Sequence, residues 1–391
     1  MNPDMIFDNT EIAFSLKTDS ELERAYFLFK MISVEPLVRI GTAATNFALK
    51  ANLPIEGLIR STVFDHFCGG VNEEDCLPVI DRMFEKGVSS VLDYSVEGKE
   101  SEQEFDNALK TVLNIIEFAK ALDAIPIAVF KPSGFGRFRL YKKKNDNLAL
   151  NAEENEEWKR IEARFHAVCK KAKAYDVAVL IDAEESWIQN AADALITKMM
   201  KIYNTEKPIV YNTLQMYRHD RMTFLESEHA KAKNEGYYLG YKIVRGAYME
   251  KENDRAVRKN YESPICKSKQ ATDENFNNAL RYMTDYLDCM SIFAGTHNEE
   301  SCYLLMQLMN EKQILNNDPR IWFGQLYGMS DHISYNLAHL GYNVAKYMPF
   351  GPVKDVMPYL IRRAEENTSV AGQTGRELAL IKKEKQRRKL L

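Results

Sequence analysis

The chain has 391 residues, 45% hydrophobic and 28% charged. That composition suits a soluble globular protein, long enough for a barrel of roughly 250 residues with elements added around it. A formal net charge of −4 excludes nucleic-acid binding by bulk electrostatics. Six scattered cysteines with no C-x-x-C pair point to unpaired thiols in a reducing compartment rather than a disulfide framework.

The opening residues, Met1 to Asp8, are acidic and lack a basic start. They read as neither a secretory signal nor an arginine-rich transit peptide. No run approaches the ~18 apolar residues of a membrane-spanning helix. The expectation is a cytoplasmic protein.

Residues 1–85 carry apolar side chains at helical spacing, over Leu22 to Phe29, Pro36 to Leu49 and Leu77 to Phe84. They predict a helical N-terminal arm. From residue 86 to about 370 the pattern changes, and short apolar runs alternate with longer amphipathic ones. The runs are 88–95, 125–133, 177–184, 208–215, 238–248, 290–298, 321–328 and 344–350. Helical stretches lie between them, such as Glu102 to Leu122, Glu154 to Tyr175, Phe276 to Leu287 and Cys302 to Met309. Eight buried-type strands alternating with helices predict an α/β fold, a (β/α)8 TIM-type barrel, with an open doubly wound sheet as the alternative.

Nearly every predicted strand ends on a reactive or hydrogen-bonding side chain. These are Asp93, Lys131, Asp182 with Glu184, Gln215, Arg245 with Tyr248, His297, Gln325 and Tyr347. In a barrel such ends gather at the mouth where active sites form. After the last strand, Pro352 suits the first turn of a helix on which Tyr359, Arg363 and Glu366 share one face, with Arg362 one position round. That helix is expected over the barrel mouth. Residues 371–391 form a basic C-terminal tail.

Several chemistries compete for these residues. His297, Asp182 and Glu184 come from different strands, but no close histidine pair exists, which weighs against a metal. Lys131 at a strand end could form a Schiff base, or pair with Asp182 on the next strand. Gly134-Phe-Gly136 lacks the third glycine of a dinucleotide fingerprint. What remains is a cationic pocket: Lys131, Arg362, Arg363, Lys242 and Arg245, walled by Tyr347, Tyr359, Tyr248 and Leu326. It suits a small amphipathic carboxylic acid.

Seven strings in order resemble the proline dehydrogenase family. They are Lys131 after an apolar strand, Ile-Asp182-Ala-Glu-Glu185, Leu-Gln215-x-Tyr, Lys242-Ile-Val-Arg245-Gly-Ala-Tyr248, Gly-Thr-His297-Asn, Phe-Gly-Gln325-Leu-Tyr-Gly-Met329, and Tyr347 followed by Tyr359-Leu-x-Arg362-Arg363-x-x-Glu366-Asn367. The resemblance runs from about Asp93 to about Asn367. It implies a monofunctional FAD-dependent enzyme that oxidises L-proline to Δ1-pyrroline-5-carboxylate by hydride transfer to flavin N5, with electrons leaving to a quinone.

By the same resemblance, Lys131, Arg362 and Arg363 bind the proline carboxylate, and Tyr347, Tyr359, Tyr248 and Leu326 pack on its ring. Glu366 shapes the pocket, Asp182 orients Lys131, and Glu97 gates with Arg362. The flavin falls to Gln215, Lys242, Arg245, Gly246, Ala247, Lys267, Lys269, Thr272, His297, Asn298, Gln325, Leu326 and Glu366. Lys242 then Arg245 reverses the order of the two cations in some members, and a lysine cannot offer arginine's planar fork.

Relatives acting on hydroxyproline tend to have a smaller residue at the Tyr347 position, so Tyr347 favours proline. A Schiff-base lyase using Lys131 is the alternative from another class. The basic tail reads either as a frayed, solvated helix end or as a contact with the inner face of an anionic membrane, where a lipid quinone would be met.

Overall fold

The computed structural model describes residues 3–51, 56–94, 100–369 and 373–390. The N-terminal region is helical: α1 (Thr10–Ala13), α2 (Asp19–Ile32), α3 (Glu35–Lys50), α4 (Glu56–Ile59), α5 (Asp65–Phe67) and α6 (Glu73–Phe84). Strands and helices then alternate. β1 (Val88–Tyr94) leads to α7 (Glu102–Ala121), β2 (Ile127–Phe130) to α8 (Phe138–Asn145) and α9 (Ala152–Tyr175), and β3 (Ala178–Ile181) to α10 (Ser186–Tyr203). β4 (Val210–Gln215) leads to α11 (Arg221–Glu235), and β5 (Leu239–Val244) to α12 (Met249–Lys259) and α13 (Lys269–Asp285). β6 (Met290–Gly295) leads to α14 (Glu299–Glu311), and β7 (Ile321–Leu326) to α15 (Asp331–His339). After β8 (Val344–Phe350) come α16 (Val353–Ser369) and α17 (Gln373–Arg387).

The strands close into a barrel in chain order, so the alternation yields a (β/α)8 barrel rather than an open sheet. Parallel strands cannot be joined by hairpins, so each crossover carries a helix. A strand covered on both faces is buried along its whole length, as β4 and β8 are. That is why the strands stand out in the sequence as short, largely apolar runs, even where a buried polar residue such as Asn212 or Lys346 interrupts them. β1 runs beside β8 from Val88 opposite Val344 to Tyr94 opposite Phe350.

The chain divides into two compact units, Met1–Glu97 with Gln325–Leu391, and Gly98–Gly324. In the first unit the N-terminal helices form a bed for α16. Val353, Val356, Met357, Tyr359 and Leu360 pack into one cluster with Ile32, Ile59, Phe64, Phe67 and Cys68. The segment after α5 also extends the end of β8: Gly69 N–H donates to Pro349 O at 2.9 Å, and Gly351 N–H donates to Gly70 O at 3.1 Å. The turn after β7 is fixed to the same helices. Gly328 has φ +77°, and a Cβ there would lie 2.2 Å from His66 O, so only glycine fits. The His66 ring nitrogen Nε2 lies 3.0 Å from Gly328 O.

Residues 373–387 are a packed helix, where the sequence alone favours a frayed one. Leu380 and Ile381 of α17 are buried against Phe14, Leu22, Ala25 and Phe29. Its basic residues are largely engaged. Arg376 pairs with Asp8 at 2.6 Å, Lys385 with Glu23 at 2.8 Å, and Arg388 with Asp19 at 3.0 Å and with Lys17 O at 2.8 Å. Leu380→Ala is expected to cost about 2–5 kcal/mol, the range for deleting a buried leucine side chain. Urea denaturation reads the change, and a loss below about 1 kcal/mol would mean that α17 is not part of the cooperative fold.

The second unit holds β2 to β6 with their helices. Phe130 at the end of β2 stacks on Phe135 at 4.5 Å between centroids and meets Phe165 of α9 edge-on at 5.1 Å. Asn151 and Glu154 form a capping box at the start of α9. Among the described residues, no helix is long and apolar enough to cross a membrane.

Candidate functional site

In the second unit, the C-terminal ends of adjacent strands carry the polar residues that the sequence singles out. Lys131 follows β2, Asp182 follows β3, Gln215 ends β4, Lys242 lies in β5, and His297 and Asn298 follow β6. Lys242 is 6% exposed, and its ammonium is paired with the Asp182 carboxylate. The expectation from sequence paired Asp182 with Lys131; the structure adds Lys242 as an ion-pair partner of Asp182. The geometry accounts for this pair, because residues from alternate strands such as β3 and β5 share one interior layer of such a barrel.

Arg245, just past β5, is held by three side chains. Its Nε donates to Asp273 Oδ1 at 2.7 Å, Nη1 to Thr296 Oγ1 at 2.8 Å and Nη2 to Ser301 Oγ at 3.0 Å. Its guanidinium also lies 4.6 Å from the Phe276 ring centroid. Asp273, Thr296 and Ser301 carry no signal in the sequence; only their convergence on one arginine marks them. Burial would raise the Asp273 carboxyl pKa, but Lys269 and Arg245 hold it below the ordinary range.

Gly246, with φ +134°, stands against the Tyr217 ring, whose atoms a Cβ would approach to 2.6 Å. Ala247 is exposed, and Tyr248 stands immediately before the start of α12. Gln215 is buried and donates through Nε2 to Glu184 O at 2.7 Å.

Lys267, Lys269 and Thr272 gather at the N-terminus of α13, which starts at Lys269 where apolar spacing predicts Phe276. Its first turn is polar, so the apolar period begins late. Ser268 accepts from Ala271 N–H at 3.0 Å as its cap, and Thr272 Oγ1 donates to Ser268 O at 3.3 Å. Asn298 caps α14 by accepting from Ser301 N–H at 2.8 Å.

This donor set fits the flavin cofactor that the resemblance implies. A buried ammonium, a guanidinium held rigid by three partners and a buried amide lie on adjacent strands, and they suit a ring system that gains negative charge on reduction. The N-terminus of α13, flanked by exposed Lys267 and Lys269, suits a phosphate group.

The first unit supplies the remaining residues. Gln325 and Leu326 end β7, Tyr347 lies in β8, and Tyr359, Arg362, Arg363 and Glu366 lie on α16. Gln325 is buried and accepts from Ser334 Oγ at 2.9 Å. Leu326 is partly buried against the cluster that contains Tyr359. Tyr359 and Arg363 sit one turn apart, as their spacing predicts, and the Arg363 guanidinium lies 5.2 Å from the Tyr359 ring centroid. Arg363 is 8% exposed, so its charge is fixed in a largely dry place. Arg362 is more open. Glu97 lies outside the described residues, and so does the side chain of Glu366.

Residues 76–376 match the family model described as Proline dehydrogenase. The chain is 36% identical over 333 residues to the carbapenem antibiotics biosynthesis protein CarD of Pectobacterium carotovorum subsp. carotovorum, which spans 85% of this chain and 86% of that protein. It is 30% identical over 422 residues to proline dehydrogenase 1, mitochondrial, of Arabidopsis thaliana, spanning 96% and 85%. It is 28% identical over 412 residues to hydroxyproline dehydrogenase of Xenopus laevis, spanning 96% and 88%. A crystal structure of proline utilization A (PutA) from Bdellovibrio bacteriovorus, inactivated by N-propargylglycine, shares the fold with a TM-score of 0.72 at 20% identity. That likeness covers 92% of this chain and 38% of the solved one.

Proposed function

The chain belongs to the proline dehydrogenase family, and on that premise we propose that it is a flavin-dependent oxidoreductase converting L-proline to Δ1-pyrroline-5-carboxylate. The observation that carries the reading is Arg363, a guanidinium fixed by burial and by the Tyr359 ring on a helix bedded in the N-terminal core. A rigid planar cation of this kind selects a small carboxylate.

Bound FAD would supply the hydride-accepting chemistry at its N5, and a quinone would take the electrons onward. The chain's own work is to bind and orient. Arg362, Arg363 and Lys131 hold the substrate carboxylate. Tyr347, Tyr359, Tyr248 and Leu326 give the ring apolar walls, and Glu366 shapes the pocket. Lys242, paired with Asp182, joins Gln215, Arg245, Gly246, Ala247, His297, Asn298, Gln325 and the α13 start in holding the flavin. Fixing the substrate's charged end positions the ring carbon next to nitrogen, and such positioning accounts for a large share of the barrier reduction.

Hydroxyproline is the second reading, favoured by the relative of that name. Tyr347, a large residue buried in β8, supports proline. We place the protein in the cytoplasm, meeting a lipid quinone at the inner face of a membrane. The ion pairs of α17 argue against its basic residues as the anchor.

The purified protein is expected to carry a flavin spectrum that bleaches when L-proline is added, and more slowly with 4-hydroxyproline. A colourless protein in which borohydride traps a Lys131 adduct with a carbonyl substrate would replace this reading with a Schiff-base lyase.

A further inference from the structure

Lys131 is carried by a turn rather than by a strand. β2 ends at Phe130, and Lys131 leads into the single 3-10 turn Pro132–Gly134. Three side chains hold that turn. The Tyr141 hydroxyl on α8 donates to Pro132 O at 2.8 Å, and Arg164 Nη1 on α9 donates to Phe135 O at 3.0 Å. Glu184, two residues past Asp182, takes both donors of Ser133: the N–H at 2.9 Å and the hydroxyl at 2.5 Å. Glu184 is 6% exposed and is itself anchored. Its N–H donates to Gln189 Oε1 at 3.0 Å, and its carbonyl accepts from Gln215 Nε2 at 2.7 Å.

We propose that Glu184 is a positioning residue for Lys131: through Ser133 it fixes the turn that presents the ammonium group, and its charge state sets how strongly that group attracts a substrate carboxylate. The inference rests on the proline dehydrogenase reading above.

Burial pushes the Glu184 carboxyl up to about 7, opposed by its two bonds to Ser133 and by Lys131, while Glu185 adds to the rise. The charged and titratable groups that face it are Lys131, Glu185 and Tyr141. Ser133, Gln189 and Gln215 are neutral.

The sign follows. Below pH 7 the neutral acid keeps both contacts to Ser133, its own O–H now donating to Oγ. Above pH 7 it is an anion beside Lys131 and offsets part of that ammonium's pull on a carboxylate. The wild-type KM for L-proline is therefore expected to rise as pH passes through about 7.

Three variants test this on the flavin-loaded enzyme, with kcat and KM measured across that pH range and flavin content read from the spectrum. Glu184→Ala, which loses the contacts, should raise KM by roughly tenfold. Ser133→Ala, which loses one contact, should raise it less. Glu184→Gln keeps both contacts without the charge, so its KM should stay at the low-pH wild-type value with no inflection near 7. In each case the change should fall on KM more than on kcat, with flavin still bound. A retained inflection in Glu184→Gln, or an unchanged KM in Ser133→Ala and Glu184→Ala, overturns the inference while proline still bleaches the wild-type flavin. Absence of bleaching in the wild type overturns the underlying reading, and this inference with it.

Discussion

Replacing Asp331 with alanine should destabilise the protein by about 3–5 kcal/mol, the range for removing one partner of a buried ion pair. Lys346 lies in the middle of β8 with no exposed surface. Its ammonium donates to Asp331 Oδ1 at 2.8 Å and to Met329 O. The other carboxylate oxygen of Asp331 meets Lys17 Nζ at 3.1 Å. One carboxylate at the start of α15 thus neutralises a cation from the barrel wall and another from the N-terminal arm. Burial alone would push the Asp331 carboxyl up, yet Lys17 and Lys346 hold it well below the ordinary range. Its stabilisation is therefore present above the ordinary carboxylate pKa of about 4 and fades as pH falls below it.

The cost of Asp331→Ala comes mainly from stranding Lys346, not from losing attraction. A second variant separates these causes. Asp331→Leu combined with Lys346→Met removes the buried pair and keeps the volume; Lys17 loses its partner but is partly exposed to water, so the double variant should recover most of the loss. The urea midpoint at neutral pH reads both. If the double variant is as unstable as the single one, the stranded charge is not the reason.

The barrel was legible because burial on both faces leaves a signature that survives in a single sequence. The eight strands stand out as short, largely apolar runs between longer amphipathic ones, and the helical stretch read from Glu154 to Tyr175 coincides with α9. The candidate site was legible as a set of residue types and only partly as contacts. Tyr359 and Arg363 lie one turn apart on a helix, so their contact follows from spacing. Asp182 and Lys242 are brought together by strand order and by the layering of the interior, neither of which is local. Long-range packing hid more. Nothing in residues 1–85 reveals that Ile32, Ile59 and Phe64 support the helix that carries both arginines. The tail misled through its charge: seven basic residues look solvated until Glu23, Asp8 and Asp19 are placed beside them.

That bed for α16 bears on the arginine variants. Arg363→Met and Arg362→Met should each raise KM for L-proline roughly tenfold to 150-fold, from losing charge-assisted hydrogen bonds of about 1.5–3 kcal/mol. Flavin content should be unchanged, because the cofactor set, Glu366 apart, lies on other elements. Arg363 should be the costlier loss: it is largely buried and fixed by Tyr359, whereas Arg362 is more open and screened by water. Arg363→Lys should fall between wild type and Arg363→Met, since lysine keeps the charge but offers no planar fork and no flat face to the ring. Tyr359→Leu should raise KM less than Arg363→Met, and the two effects should not add, because the ring acts partly by holding the guanidinium. Steady-state kinetics with L-proline decide the matter. A KM within twofold of wild type in both single arginine variants would take α16 out of carboxylate recognition and leave Lys131 as its cation.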